Sequence, residues 1–237
     1  MRFQRILDLE QALGIAWEHG AQSVVLPHVL LLTLVNWLYI WGHWPVILVV
    51  AAWLYTSRRP AYVRLRNAMF LSGAVGFAFF AFLPVLPPRL LDPAFVDTVV
   101  ERSHAYRALQ PPSLTNEYAA MPSLHFGWNL LVGIALFSAT RSLLLRALAV
   151  ATPALMAFSV VATANHFVLD VVAGALLVLA AAGALALVGR LRTLRREHAA
   201  SDELPEPARA VHRRSPLRQQ RRGAPSRVRR VGARRRG

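Results

Sequence analysis

The chain contains no cysteine, which excludes disulfides, thiol catalysis and the common cysteine-based metal sites. It contains no lysine either: all 27 residues counted as lysine or arginine are arginine. Acidic residues number only 12, and charged residues make up 16% of the chain, against roughly 25% in ordinary soluble domains. So small a charged fraction, beside 55% hydrophobic residues and a mean hydropathy of +0.39, points to a membrane protein. Arginine without lysine or cysteine suggests the codon usage of a GC-rich bacterium, and a plasma (inner) membrane is the expected location.

What is present is unevenly placed. From Glu197 onward there are twelve arginines, four acidic residues and few large apolar side chains. Such a segment buries too little surface to fold alone. It also lacks aromatic residues on which bases would stack. The reading is a disordered cytoplasmic tail, residues 193–237, drawn to anionic lipid rather than to nucleic acid.

Ahead of the tail, six apolar runs recur, five of them long enough to cross a bilayer and one, Pro45–Tyr55, short, so that the first pair can also be drawn differently. They are Val24–Ile40, Pro45–Tyr55, Val63–Leu83, Ser123–Thr140, Leu143–Ala164 and Phe167–Val188. The expected fold is all-α: a polytopic membrane bundle of about six transmembrane helices over residues 23–192. Before it, Ile6, Leu9, Leu13 and Trp17 recur at three- and four-residue steps. Residues 1–22 thus read as an amphipathic interfacial helix, and the acids Asp8, Glu10 and Glu18 exclude a signal peptide.

Positive charge orients the spans. With six of them, the N-terminus, the loops near 57–66 and 141–146 and the C-tail share one side. Before Glu197 that side holds twelve arginines, against only Arg89, Arg102 and Arg107 on the other. Both termini are therefore expected in the cytoplasm. The side holding Gly42–Trp44, residues 84–122 and the turn near His166 is expected to be extracytoplasmic.

Two histidines fall on that outer side. His125 opens the fourth span in Pro122-Ser123-Leu124-His125, and His166 stands between the fifth and sixth in Asn165-His166-Phe167-Val168-Leu169-Asp170. His166 and Asp170 are four apart, on one helix face. Asp170 is the one acid inside any of the six runs, and a carboxylate in a membrane calls for a partner. An aspartate holding one imidazole nitrogen makes the other a better nucleophile. The constellation fits a phosphohistidine mechanism, with His166 as nucleophile, Asp170 as its orienter and His125 as proton donor and acceptor. Ser123 and the backbone amides opening the fourth span suit phosphate oxygens, since a helix N-terminus attracts anions.

The segments "PSLH" and "HFVLD" resemble the second and third motifs of the type-2 phosphatidic acid phosphatase superfamily, which read P-S-G-H and S-R-x5-H-x3-D. Leu124 in place of glycine, within "MPSLH…NHFVLD", looks more like the inositol phosphorylceramide synthase branch. The resemblance covers Val24 to Val188. It implies a six-helix membrane bundle, metal-independent catalysis without a cofactor, and a lipid phosphate substrate. It gives His166, Asp170 and His125 the same three roles. Two departures stand out. Ser159 holds the serine position of the third motif, but Val160 stands where arginine is usual. The first motif, K-x6-R-P, is absent, and Arg59-Pro60 lies on the cytoplasmic side. Phosphate binding then falls to outer residues: Arg89 in "FLPVLPPRLLDP", held near the third span by its prolines, with Ser123 and Asn165. Arg102 and Arg107 are second choices.

The remaining polar residues have plainer readings. His28 lies within the first run, with a packing or hydrogen-bonding role. Asn36, Asn67 and Asn129 suit bonds between helices. Trp37, Tyr39, Trp41 and Trp44 form an interfacial aromatic belt. His43 and His104, with Asp92 or Asp97, lack metal-ligand spacing. The long outer loop suits a lid or headgroup selector as well as a structural cap. The leading reading is a phosphoric ester hydrolase or an inositolphosphotransferase-like lipid phosphotransferase. Beside it stand a non-enzymatic transporter or partner subunit, using the histidines as a proton path, and an inactive relative.

Overall fold

The structure, a computed structural model, describes residues 2–102 and 119–202. His104, Arg107, the middle of the outer loop and most of the arginine-rich tail lie outside the described residues. The chain divides into two compact units, Met1–Ala186 and Leu187–Gly237. In the second, residues 187–202 continue a helix.

The first unit is all-α. Its helices are α1 (Arg2–Leu13), α2 (Glu18–Val25), α3 (Val29–Trp41), α4 (Trp44–Ser57), α5 (Arg59–Phe82), the short α6 (Thr98–Arg102), α7 (Leu124–Ala139), α8 (Leu143–Ala162) and α9 (Val168–Asp202). A single 3-10 turn at Pro88–Leu90 stands between α5 and α6. Residues 2–22 lie within this first unit.

Three described helices, α5, α8 and α9, are long and apolar enough to cross a membrane. The expected first and second spans do not cross separately: α3 and α4 are bent by 50° across Gly42–His43. Alone, α4 rises about 21 Å, short of a hydrocarbon core of about 30 Å, so the pair has the geometry of one broken span or of a re-entrant loop. By length and composition the described residues hold three helices able to cross, or four with the bent pair taken as one span, against the six expected; the 16-residue α7 is apolar but shorter. Hydropathy counts apolar runs but carries no direction, so a bend reads like a hairpin. His28 also moves: it is exposed and precedes α3 rather than lying within a span.

Side chains that would be orphaned in water face outward along these helices. Phe82 and Leu143 are 80% and 83% exposed, as lipid-facing residues are. The inner faces of α4, α5, α7 and α9 meet in a cluster around Leu54, Leu65, Val132 and Val178. A second cluster joins Tyr39 of α3 and Val99 of α6 to Met156 and Val160 of α8.

Missing side chains bring backbones together at two crossings. A Cβ at Gly174 would strike the Ser123 carbonyl, and one at Gly127 would meet the Gly174 carbonyl at 3.0 Å. That close approach sets the start of α7 against the start of α9. A Cβ at Gly133 would strike the carbonyl of Ala149, which Pro153, lacking an N–H, cannot serve as a helical donor.

The N-terminal helices dock at the histidine end of the bundle, which corrects the expected topology. Glu10 Oε1 accepts from the Leu169 N–H at 2.7 Å and Glu18 Oε1 from the Val168 N–H at 2.8 Å. Both side chains are buried, and an oxygen of each caps one of the otherwise unpartnered first amides of α9. The N-terminus therefore lies with His166, not with the loops holding Arg58 and Arg141.

Candidate active site

Three short segments meet at the histidine end. The first is Val85–Arg89, leaving α5. Its Val85 carbonyl accepts from the Ala120 N–H at 3.1 Å, and its Arg89 N–H donates to the Ala164 carbonyl at 3.1 Å. It thus pins the two other segments, 119–125 and 163–170. Pro84 and Pro87 suit it to this, since proline resists helix and keeps the strip extended up to the 3-10 turn at Pro88.

The third segment begins where α8 ends. Ala164 takes φ +53°, the left-handed conformation usually given to glycine at a helix C-terminus. The amides of Asn165 and His166 fold back on the Val160 carbonyl, each at 3.1 Å. A buried non-glycine residue in that region is a feature that gathers at functional sites. The turn presents His166, itself 5% exposed.

His166 Nδ1 lies 2.8 Å from the Ala120 carbonyl oxygen and 3.5 Å from Asp170 Oδ2. A carbonyl only accepts, so Nδ1 carries the proton and Nε2 the lone pair. Asp170 is fully buried. Its Oδ2 accepts from the Phe167 N–H at 2.9 Å, and its Oδ1 has no partner among the described residues. The carboxylate is thus a cap for the opening of α9 and a negative charge beside the imidazole, while a backbone carbonyl makes the short bond. Nothing in the residue types announced Ala120.

His125 stands in the first turn of α7, its ring centroid 6.1 Å from that of His166. Tyr39 stacks on it at 4.9 Å, and His43 packs against it at 4.4 Å. His43 is the residue that sequence reasoning missed. It sits at the α3–α4 bend, buried, and stacks on Trp128 at 5.9 Å. Its Nδ1 lies 3.0 Å from Asn129 Nδ2, which also donates to the His125 carbonyl at 2.8 Å. An amide nitrogen only donates, so His43 Nδ1 accepts and Nε2 carries the proton. Trp128 is held in turn by Ser72 Oγ, accepting from its indole N–H at 3.2 Å. The signal available was Trp41-Gly42-His43-Trp44-Pro45, a polar break in a run of apolar residues. Tyr39 faces the site, not only the interface.

The substrate-binding candidates are placed as follows. Ser123 is the N-cap of α7, fully buried, its hydroxyl accepting from the Phe126 N–H at 3.5 Å. Asn165 donates to Thr163 Oγ1 at 2.8 Å and is 5% exposed. Arg89 is anchored by its backbone to the turn before His166, and its Nε donates to Asp97 Oδ2 at 2.8 Å. Val160, at the expected arginine position, is fully buried in the second apolar cluster.

The outer loop is bracketed to the N-terminal half. Gln22 bonds both backbone groups of Val96, at 2.9 and 3.0 Å. Asn36 donates to the Thr98 carbonyl and accepts from its hydroxyl. Asp92 pairs with His19 at 3.4 Å, not with His43. Among the described residues no group of three histidines and carboxylates is placed to hold a metal.

A family model described as PAP2 superfamily matches residues 4–184. No curated protein and no solved structure matches the chain.

Proposed function

The chain belongs to the PAP2 superfamily, and from that premise we propose that it is a membrane enzyme that cleaves or transfers a lipid phosphate ester through a phosphohistidine on His166. The observation that carries this reading is the bond from His166 Nδ1 to Ala120, which leaves Nε2 as the ring nitrogen free to attack. Nε2 attacks phosphorus, a P–N bond forms and the ester P–O bond breaks. His125 gives the leaving oxygen its proton. In the second half, water or an alcohol attacks phosphorus while His125 takes its proton, and the P–N bond breaks. Asp170 stabilises the positive charge on the His166 ring in between. Arg89, braced by Asp97, supplies positive charge to the phosphate, and Asn165 an amide beside the nucleophile.

Superfamily membership favours a phosphatase-type reaction, with water as the acceptor. The "MPSLH…NHFVLD" neighbourhood favours an alcohol, as in the inositol phosphorylceramide synthase branch. The six arginines of the 57–66 and 141–146 regions favour that end of the bundle as cytoplasmic, so the histidine end is read as extracytoplasmic, in a bacterial plasma membrane. Arg2 and Arg5 weigh the other way, but less.

The test is turnover of a panel of lipid phosphates by the purified chain and by His166→Ala, with and without a polyol acceptor. The expected result is phosphate release or transfer by the parent and none by the variant. Equal turnover by both would refute the nucleophile. Product analysis with the polyol separates hydrolysis from transfer.

A further inference from the structure

At the end of the bundle away from the histidines, the first unit holds a cavity of about 640 Å³ lined by Arg58, Arg64, Arg141 and Arg146, with Ser138 and Thr140. It lies between two hairpins, the α4–α5 turn and the α7–α8 turn. One bond joins the turns, Arg58 Nε reaching the Ala139 carbonyl at 3.5 Å, and Arg146 Nε braces its own turn by donating to the Thr140 carbonyl at 3.0 Å. Two arginines are thus anchored as walls. The other two, Arg64 and Arg141, are exposed and make no hydrogen bond or ion pair among the described residues.

No carboxylate balances this charge. The lining contains no acid, and the sequence has none between Glu18 and Asp92 or between Glu117 and Asp170. The ion pairs among the described residues, His19–Asp92, Arg89–Asp97 and His166–Asp170, involve none of these arginines. Four like charges around one concavity repel one another unless an anion joins them. The helices α5 and α8 also begin here, at Arg59 and Leu143, so the positive ends of two helix dipoles face this end of the bundle. Trp53 and Ala61 add apolar surface to the wall.

We infer that this cavity is a second, non-catalytic site that binds a phosphate-bearing anion, with the guanidiniums on the phosphate oxygens and the apolar wall beside an acyl chain. Guanidinium forks match phosphate geometry, and basic pockets between membrane helices suit anionic headgroups. The phosphate is shared by an anionic lipid headgroup and by free phosphate, and the experiment separates them.

The full chain, in the His166→Ala background so that turnover does not consume the probe, is purified in a neutral detergent. Thermal unfolding and native mass spectrometry are followed with phosphatidylglycerol, with phosphatidylcholine and with inorganic phosphate. The comparison is with Arg64→Gln/Arg141→Gln, chosen because neither side chain holds the turns together; both proteins keep the arginine-rich tail. Phosphatidylglycerol should bind the parent more tightly than phosphatidylcholine, and the double variant should lose affinity by on the order of tenfold to thirtyfold, as two lost cation–phosphate contacts imply. Stabilisation by inorganic phosphate that is lost in the variant would support the site and identify free phosphate as its ligand. Equal binding of phosphatidylglycerol and inorganic phosphate by parent and variant would overturn the inference. Arg64→Lys/Arg141→Lys, which keeps the charge, should recover part of the affinity; a variant that loses binding only because it unfolds would show a lowered melting temperature without any ligand.

Discussion

His166 Nδ1 is closer to the backbone oxygen of Ala120, at 2.8 Å, than to the carboxylate of Asp170, at 3.5 Å. The tautomer of the ring is therefore set by the main chain, and that main chain is set by Val85, which accepts from the Ala120 amide. Asp170 acts on the same ring through its charge more than through a short bond, and it has a second task in capping Phe167.

This division predicts unequal effects for two substitutions. Asp170→Asn keeps an acceptor for the Phe167 amide and loses the charge. It should fold with a melting temperature close to the parent's, while kcat falls about 10- to 100-fold, the loss of a charge interaction of about 1.4 to 2.7 kcal/mol, and less than the ~10⁴-fold cost where the aspartate itself sets the tautomer. Asp170→Ala also orphans the Phe167 amide, and should cost a further ~1 to 2 kcal/mol of stability. Steady-state kinetics and thermal unfolding of the two variants check this. An unchanged kcat in Asp170→Asn would assign the carboxylate to capping alone.

A second prediction concerns His43, which joins α3–α4 to the acid side of the site. His43→Ala leaves an Asn129 N–H without its buried acceptor and removes the ring on which Trp128 and His125 pack. Stability should drop by about 1 to 3 kcal/mol, and kcat should fall while KM changes little, because His125 loses its support rather than the substrate its contacts. His43→Gln, whose side-chain oxygen is still an acceptor, should recover most of the stability. Should KM rise with kcat unchanged, His43 would be a substrate contact and not a positioning residue.

The parts of the site carried by residue type were visible in the sequence. His125 and His166 stand next to turn-forming residues at span ends, and the four-residue step from His166 to Asp170 places them on one face whatever the packing. The last three spans fall within a few residues of α7, α8 and the start of α9, which runs on to Asp202, because an unbroken apolar run of about twenty residues has one economical solution in a bilayer. What escaped depends on direction and on backbone. The α3–α4 bend looks like a hairpin to any window of hydropathy, and treating it as one moved the N-terminus to the wrong end. Glu10 and Glu18 look like the solvated face of an amphipathic helix until the free amides of α9 are known to lie against them. Ala120 acts through its carbonyl, which every residue has. Arg89 and Asp97 pair across a loop whose path no periodicity describes.

The last prediction follows from Glu10. It is buried where α1 meets the start of α9, and burial raises its carboxyl from 4.5 to about 8, against the pull of the Leu169 amide and with help from the neighbouring charges of Glu18 and Asp170. The folded chain thus holds a proton that the unfolded chain releases near 4.5. Between about 4.5 and 8 the folded state binds more protons than the unfolded state, so this residue's contribution to stability is largest at the acidic end, declines as pH rises through that window and levels off above it. Glu10→Gln keeps an oxygen for the Leu169 amide and has no proton to lose. Thermal unfolding in detergent should give near-equal melting temperatures for parent and variant at pH 5, and a variant more stable by several degrees at pH 8.5. The same pH slope in both proteins would show that Glu10 is ionised in the fold throughout, and that the N-terminal helices dock on α9 through charge and not through a shared proton.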